Sequence, residues 1–291
     1  MQPWFLWAMV AVLCWGGWAV MGKAVGEAFS PAQSQAYSTL GMLPVLLILL
    51  RRAKPAERAA SKKHAGWAFG AGLMACLGNM AYYDALSRGG KAATVMPLTA
   101  MYPLVTILLA LVFLKERFNR IQFLGIGCSL VSIYLFNVPQ DGSTLQGGLL
   151  FALAPIVFWG LAGLMQKLTT GGLSGEAGAF WFLAAFVPVA ILLAASQPWP
   201  RAVAGSSWTW VVLLGLTFAL GNLALLIAFA RGGKASILTP FTALYPVIGI
   251  PVAIFMFGEK IGGRESLGIA LSLLAVVALS HEPEPQSSPP P

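Results

Sequence analysis

Catalysis needs side chains that move protons, form covalent bonds or hold a metal, and this 291-residue sequence keeps almost none of them in its apolar stretches. Its two histidines, His64 and His281, fall outside those stretches, and carboxylates within them are nearly absent. Cys14, Cys76 and Cys128 are odd in number and lack the CxxC or Cys/His spacing of a metal site or a disulfide framework, so no metal and no cofactor is expected. The chemistry-bearing residues inside the stretches are neutral: Trp15, Asn79, Tyr82, Tyr83, Thr99, Tyr102, Trp159, Asn222, Thr242 and Tyr245. Indole, phenol, carboxamide and hydroxyl groups stack and hydrogen-bond without ionising. That is the chemistry of holding an organic solute rather than transforming one.

The spacing of these residues places them. Asn79, Tyr82 and Tyr83 lie three and four positions apart, close to one face of a helix, and Asn222 repeats the first of them later in the chain. A carboxamide in an apolar helix marks either an interhelical hydrogen bond or a binding group. Trp15 and Trp159, beside Gly16-Gly17 and Gly160, read either as walls for a solute or as helix packing. Pro97 and Pro103, and later Pro240, Pro246 and Pro251, each remove an amide donor and free a carbonyl near position i−4, Thr99 and Thr242 among them. In hydrocarbon such groups must be satisfied by neighbouring protein, a hydroxyl or cavity water. The Thr99–Pro103 and Thr242–Pro246 turns therefore face protein or solute, as cavity walls or as packing kinks.

The elements that carry these residues come from a duplication. Arg88 to Pro103 reads RGGKAATVMPLTAMYP and Arg231 to Pro246 reads RGGKASILTPFTALYP, a shift of 143 positions. Extending the register from Gly78–Phe136 onto Gly221–Leu279 keeps 22 identities in 59 positions, including Asn79/Asn222, Glu116/Glu259 and Gly125/Gly268. At a shift of 144 the match reaches Trp15-Gly16 onto Trp159-Gly160, Lys23 onto Lys167 and Pro44 onto Pro188.

With 58% hydrophobic residues, 10% charged ones and a mean hydropathy of +0.77, the chain carries more apolar surface than a single globular core can bury. The class is an all-α integral membrane protein. Ten apolar runs, near 4–25, 32–50, 65–87, 92–114, 121–137, 147–167, 177–195, 208–230, 235–257 and 265–280, are each about long enough to cross a hydrocarbon core of roughly 30 Å. Five spans per half is an odd number, so the second half enters the membrane upside down relative to the first. The expected architecture is two inverted five-helix repeats, 1–138 and 145–280, with a disordered Pro/Ser/Glu tail at 281–291.

The net charge of +8 follows topology rather than nucleic acid, because the basic residues sit between apolar runs. Placing the loop Arg51–His64 in the cytoplasm puts twelve of the eighteen basic residues inside, and with them both termini. Trp4, Trp7, Trp67, Trp199 and Trp208 fall near span ends, where an amphipathic indole is favoured. The expected partners are the lipid bilayer and a small-molecule solute, with any coupling ion or counter-solute left open.

The five-span unit, with Tyr102-Pro103 in its fourth helix, Leu-Lys-Glu-Arg at Leu114–Arg117 and a Gly125-bearing fifth helix, resembles the EamA-like unit of the drug/metabolite transporter superfamily. Tyr245-Pro246, Gly258-Glu259-Lys260 and Gly268 keep the pattern in the second copy. The resemblance implies ten helices around a central cavity lined by the first, third, fourth, sixth, eighth and ninth, with the fifth and tenth as scaffold. It also implies a secondary transporter in a bacterial cytoplasmic membrane, exporting small polar or amphipathic metabolites such as amino acids. The acid that couples protons in the first helix of small multidrug members has no counterpart, since Cys14 stands in that region. A channel reading lacks a filter loop or charged ring, while a non-transporting assembly role remains an alternative. Lys23, Asp84 and Lys167 are the gate or coupling candidates. Lys23 and Asp84 either pair across one mouth, or the lysine snorkels while Asp84 pairs with Arg88 one turn on. Glu116 and Glu259 are expected to fix tight turns.

Overall fold

The computed structural model describes residues 3–52, 61–114, 119–137, 153–200, 203–233, 235–279 and 281. Glu116, most of the basic loop, residues 145–152 and all but the first residue of the tail lie outside them. Among the described residues all regular structure is helical. The first half holds α1 (Phe5–Gly26), α2 (Pro31–Arg52), α3 (Lys62–Ser87), α4 (Ala92–Thr99), α5 (Pro103–Leu114) and α6 (Arg120–Asn137). The second half holds α7 (Ala154–Thr169), α8 (Gly175–Ala184), α9 (Phe186–Ser196), α10 (Gly205–Ala230), α11 (Ala235–Thr242), α12 (Pro246–Phe257) and α13 (Gly263–Leu279).

Among the described residues, five stretches are long and apolar enough to cross a membrane: Phe5–Gly26, Pro31–Arg52, Gly175–Ser196, Gly205–Ala230 and Leu238–Phe257. Ala92–Thr106 and Arg120–Leu135 are shorter apolar helices. Phe255, Leu192, Ile191, Phe123 and Leu6 are each more than 60% exposed, an apolar skirt that suits lipid rather than water. At one rim Phe29, Tyr37, Trp199 and Trp208 cluster, with the two indoles stacked at 5.8 Å, the arrangement expected of an interfacial aromatic belt.

The repeated Arg-Gly-Gly-Lys motif turns out to be a helix stop. Gly89 and Gly232 both take φ of +88°, a left-handed conformation that glycine adopts without a side-chain penalty. In the first copy the Gly90 amide donates to the Ala85 carbonyl and that of Gly89 to Leu86; in the second, Gly233 donates to Ala228 and Gly232 to Phe229. Both are Schellman caps, which end α3 and α10 and reverse the chain into α4 and α11. The Tyr-Pro segments then break the next stretch twice, between α4 and α5 and between α11 and α12. The carbonyls of Thr99 and Thr242 accept from the Tyr102 and Tyr245 amides, at 3.2 and 3.3 Å, so the groups freed by proline are satisfied within the turn itself.

The two halves interleave. α1 packs along α10 as α7 does along α3, and α6 pairs with α13. α2 crosses α10 while α8 crosses α3. These crossings are close because glycine stands at each. A β-carbon at Gly215 would overlap the Ser38 carbonyl oxygen, and one at Gly41 would overlap that of Val212. At the repeat-related crossing a β-carbon at Gly72 would overlap the Phe182 carbonyl.

Candidate functional site

Between the halves lies a small cavity, about 60 Å³ in volume. Trp15 and Trp18 on α1, Trp159, Ala162 and Gln166 on α7, Phe182 on α8, and Phe218 and Asn222 on α10 line it. Ala75 on α3 and the two turn tyrosines, Tyr102 and Tyr245, complete the wall. The rings are mutually braced. Trp18 sits 5.5–5.6 Å from Phe218 and Trp159, and Trp159 meets Tyr102 edge-on at 6.2 Å.

Each indole owes its position to a glycine across the repeat. A β-carbon at Gly78 would collide with the Trp159 indole, and one at Gly221 with that of Trp15. The asparagine that follows each glycine is then within reach of the ring. The Trp159 Nε1–H donates to Asn79 Oδ1 at 3.2 Å. The repeat-related bond is not made: Trp15 Nε1 has no partner among the described residues, and Asn222 Oδ1 accepts from Gln166 Nε2 at 3.2 Å. The tyrosines follow the repeat: Tyr245 Oη donates to the Met96 carbonyl and lies 3.2 Å from Thr99 Oγ1, and Tyr102 Oη donates to the Thr239 carbonyl.

On α7 the lining runs one and two turns past Trp159 toward Lys167 in the last helical turn. On α1 it stops at Trp18, short of Lys23 in the last turn at the opposite end. There Gly258, at φ of +61°, ends α12 and turns the chain so that Glu259 points back into the bundle. The Glu259 carboxylate pairs with Lys23 Nζ and also accepts from the Ala92 and Ala93 amides, both at 2.8 Å. One carboxylate thereby joins the end of α1 to the N-terminus of α4, where unpaired amides and the helix dipole favour negative charge. Lys91 adds a second tie, donating to Glu265 at 2.7 Å and to the Lys260 carbonyl at 2.9 Å.

Of the residues singled out from sequence, Trp15, Tyr102, Trp159, Asn222 and Tyr245 line the cavity, and Asn79 stands one hydrogen bond behind it. Tyr82 and Tyr83 are buried beside Trp18 instead: Tyr82 stacks on it at 5.0 Å and donates to the Ala19 carbonyl, while Tyr83 accepts from its indole N–H. Thr99 and Thr242 are fully buried and donate back to Val95 and Leu238, one turn earlier. The Lys23–Asp84 pair is not formed. Lys23 reaches Glu259, and Asp84 accepts from Arg88 at 2.7 Å on the exposed rim, as one-turn spacing favours. Sequence reading missed Trp18, Gln166, Phe182 and Phe218. Two of them were signalled by helical spacing, Trp18 one turn after Trp15 and Phe218 one turn before Asn222.

Residues 2–138 and 146–281 each match the model of the EamA-like transporter family. An uncharacterized transporter of Helicobacter pylori (strain J99) is 25% identical over 286 residues, 91% of this chain and 90% of that one. The Bacillus subtilis (strain 168) uncharacterized transporter YojE is 29% identical over 170 residues, which span 56% of this chain and 53% of YojE. A solved crystal structure superposes with a TM-score of 0.66 over 94% of both chains at 19% identity, a likeness of fold. Apolar helices, an exposed apolar skirt and a neutral aromatic cavity between two matching halves agree with that family: the chain is a multi-pass membrane protein and belongs to the EamA-like transporters.

Proposed function

We propose that the protein is a secondary carrier that moves small polar or amphipathic organic metabolites across a bacterial cytoplasmic membrane by alternating access, in the export direction. Its ten apolar stretches cross the membrane as two inverted five-helix repeats, 1–138 and 145–280, with both termini in the cytoplasm. What carries the reading is the pairing of a central cavity with one sealed mouth. The Glu259 tie holds the end of the cavity bearing Lys23 shut, while the lining extends toward the end bearing Lys167. In the orientation set by the basic loops, the tied mouth is the external one. Exchange of conformation between repeats would open it and close the cytoplasmic one.

Counterflow into liposomes, run on solutes that raise the unfolding temperature of the purified protein, tests transport directly. A protein that nothing stabilises and that exchanges nothing would sink the carrier reading. Orientation has its own test: reporters fused after Lys63 and at the tail should read cytoplasmic, and one after Asp141 external. The reverse pattern would invert which mouth is sealed.

The tyrosine turns supply a third expectation. Tyr102→Ala and Tyr245→Ala each remove a cavity wall and at least one interhelical hydrogen bond, so transport should fall about fivefold or more at unchanged membrane abundance, the equivalent of ~1 kcal/mol. Parallel loss of transport and abundance would instead make these residues packing elements.

A further inference from the structure

We propose that the solute accepted by this cavity is an uncharged, flat molecule carrying a hydrogen-bond acceptor; this rests on the carrier reading and narrows its substrate class. Among the described residues, the lining offers no carboxylate, ammonium or guanidinium. Its ionisable groups are the phenols of Tyr102 and Tyr245, and both hydroxyls are already bonded to backbone carbonyls of the opposite half. Near the tied mouth six charged residues are engaged with one another, in the Lys23–Glu259, Lys91–Glu265 and Arg88–Asp84 pairs. An ion entering the cavity would lose water without meeting a counter-charge among the described lining residues.

The walls and the free polar atoms describe the complement. Trp15, Trp18, Trp159, Phe182 and Phe218 present aromatic surface from four different helices, which suits a ring system offering π-faces and edges. One donor of the lining, Trp15 Nε1, has no hydrogen-bond partner among the described residues, and Asn79 Nδ2, also unpaired, lies behind the Trp159 wall. Such orphaned buried donors are unfavourable unless something supplies an acceptor. The repeat shows what Trp15 lacks. Its repeat mate Trp159 finds Asn79, but Asn222 is taken by Gln166, and the repeat position of Gln166 is Gly22. The second half thus carries an extra carboxamide on Asn222, while Trp15 is left without its repeat-related acceptor. A solute carbonyl, ether oxygen or ring nitrogen would replace it. A cation can stack on indole, but the orphaned polar atom of the lining, Trp15 Nε1, is an N–H donor, which repels it.

The test uses three probes on one flat scaffold: naphthalene-2-carboxamide, naphthalene-2-carboxylate and naphthalen-2-ylmethylammonium. Their binding to the full-length protein in nanodiscs is measured by titration calorimetry. In parallel, an Ala162→Cys variant on a background with Cys14, Cys76 and Cys128 replaced by alanine is reacted with N-ethylmaleimide, which reports whether the cavity is reachable at all. The expected result is carboxamide binding at least tenfold tighter than either ion, weakened about fivefold in Trp15→Phe, which keeps a ring and removes the donor. If the introduced thiol labels but an ion binds as well as the carboxamide, or the carboxamide does not bind, the uncharged-solute inference is overturned and the carrier reading stands. If that thiol stays unlabelled and no probe binds, both fall.

Discussion

Glu259→Ala is expected to unlock the mouth that bears Lys23. The side chain is only 4% exposed and serves three donors, the Lys23 ammonium and the amides of Ala92 and Ala93. Truncation leaves a half-buried cation and two helix-start amides without an acceptor. A lost N-cap alone costs about 1 kcal/mol, and a broken buried pair costs more, discounted here because Lys23 keeps 24% of its side chain in solvent. These penalties fall on the sealed form alone, since opening that mouth hydrates every group concerned. The ratio of open to sealed forms should therefore rise at least about tenfold, ~1.4 kcal/mol. The reporter is Val95→Cys on α4, which is 2% exposed and one turn inside the tie. Its reaction with an impermeant maleimide added on the Lys23 side should accelerate accordingly. Glu259→Gln, which keeps an acceptor for one of the two amides and loses the charge, should fall between wild type and Glu259→Ala. Labelling that is unchanged in Glu259→Ala, at unchanged thermal stability, would make the tie a mere turn support.

Gly215→Ala is expected to prevent stable folding, although one methyl in a helix is ordinarily favourable. The β-carbon would overlap the backbone carbonyl of Ser38, and the Cα of Gly41 lies 3.3 Å from the same point. A flexible side chain could move aside; two helix backbones cannot. α2 and α10 would have to separate, undoing packing along both helices at a cost at or above the ~1–3 kcal/mol typical of overpacking. Membrane abundance and the unfolding midpoint in detergent should both drop. Gly127→Ala on α6 is the control, because a β-carbon there meets nothing within 4 Å and the change should stabilise by a few tenths of a kcal/mol to about 1. Equal midpoints for the two variants would mean that the crossing is not the close contact described.

What the sequence alone determined was whatever local composition and periodicity encode. Apolar runs, the Gly-Gly and Tyr-Pro interruptions and the duplication identified an all-α membrane protein, and the family match to both halves agrees. Trp15, Tyr102, Trp159, Asn222 and Tyr245 were legible as candidates because the duplication marks each pair and helical spacing marks the face. Partners across the fold were not legible. Lys23 and Glu259 are 236 positions apart, and their meeting depends on the left-handed turn at Gly258 and on where α4 begins. Nothing in the spacing of Lys23 and Asp84 distinguished that pairing from one with each other. Likewise Gly41 and Gly215 look like ordinary small residues in apolar helices until the crossing of α2 over α10 gives each a backbone to press against. The orphaned Trp15 donor is a third case, since the repeat predicts a bond to Asn222, which in the structure accepts from Gln166 of another helix. A sequence specifies which face of a helix is apolar or polar through interactions a turn or two long. Which residue of another helix meets that face is decided by packing between segments far apart in the chain, and only the tertiary structure contains that information.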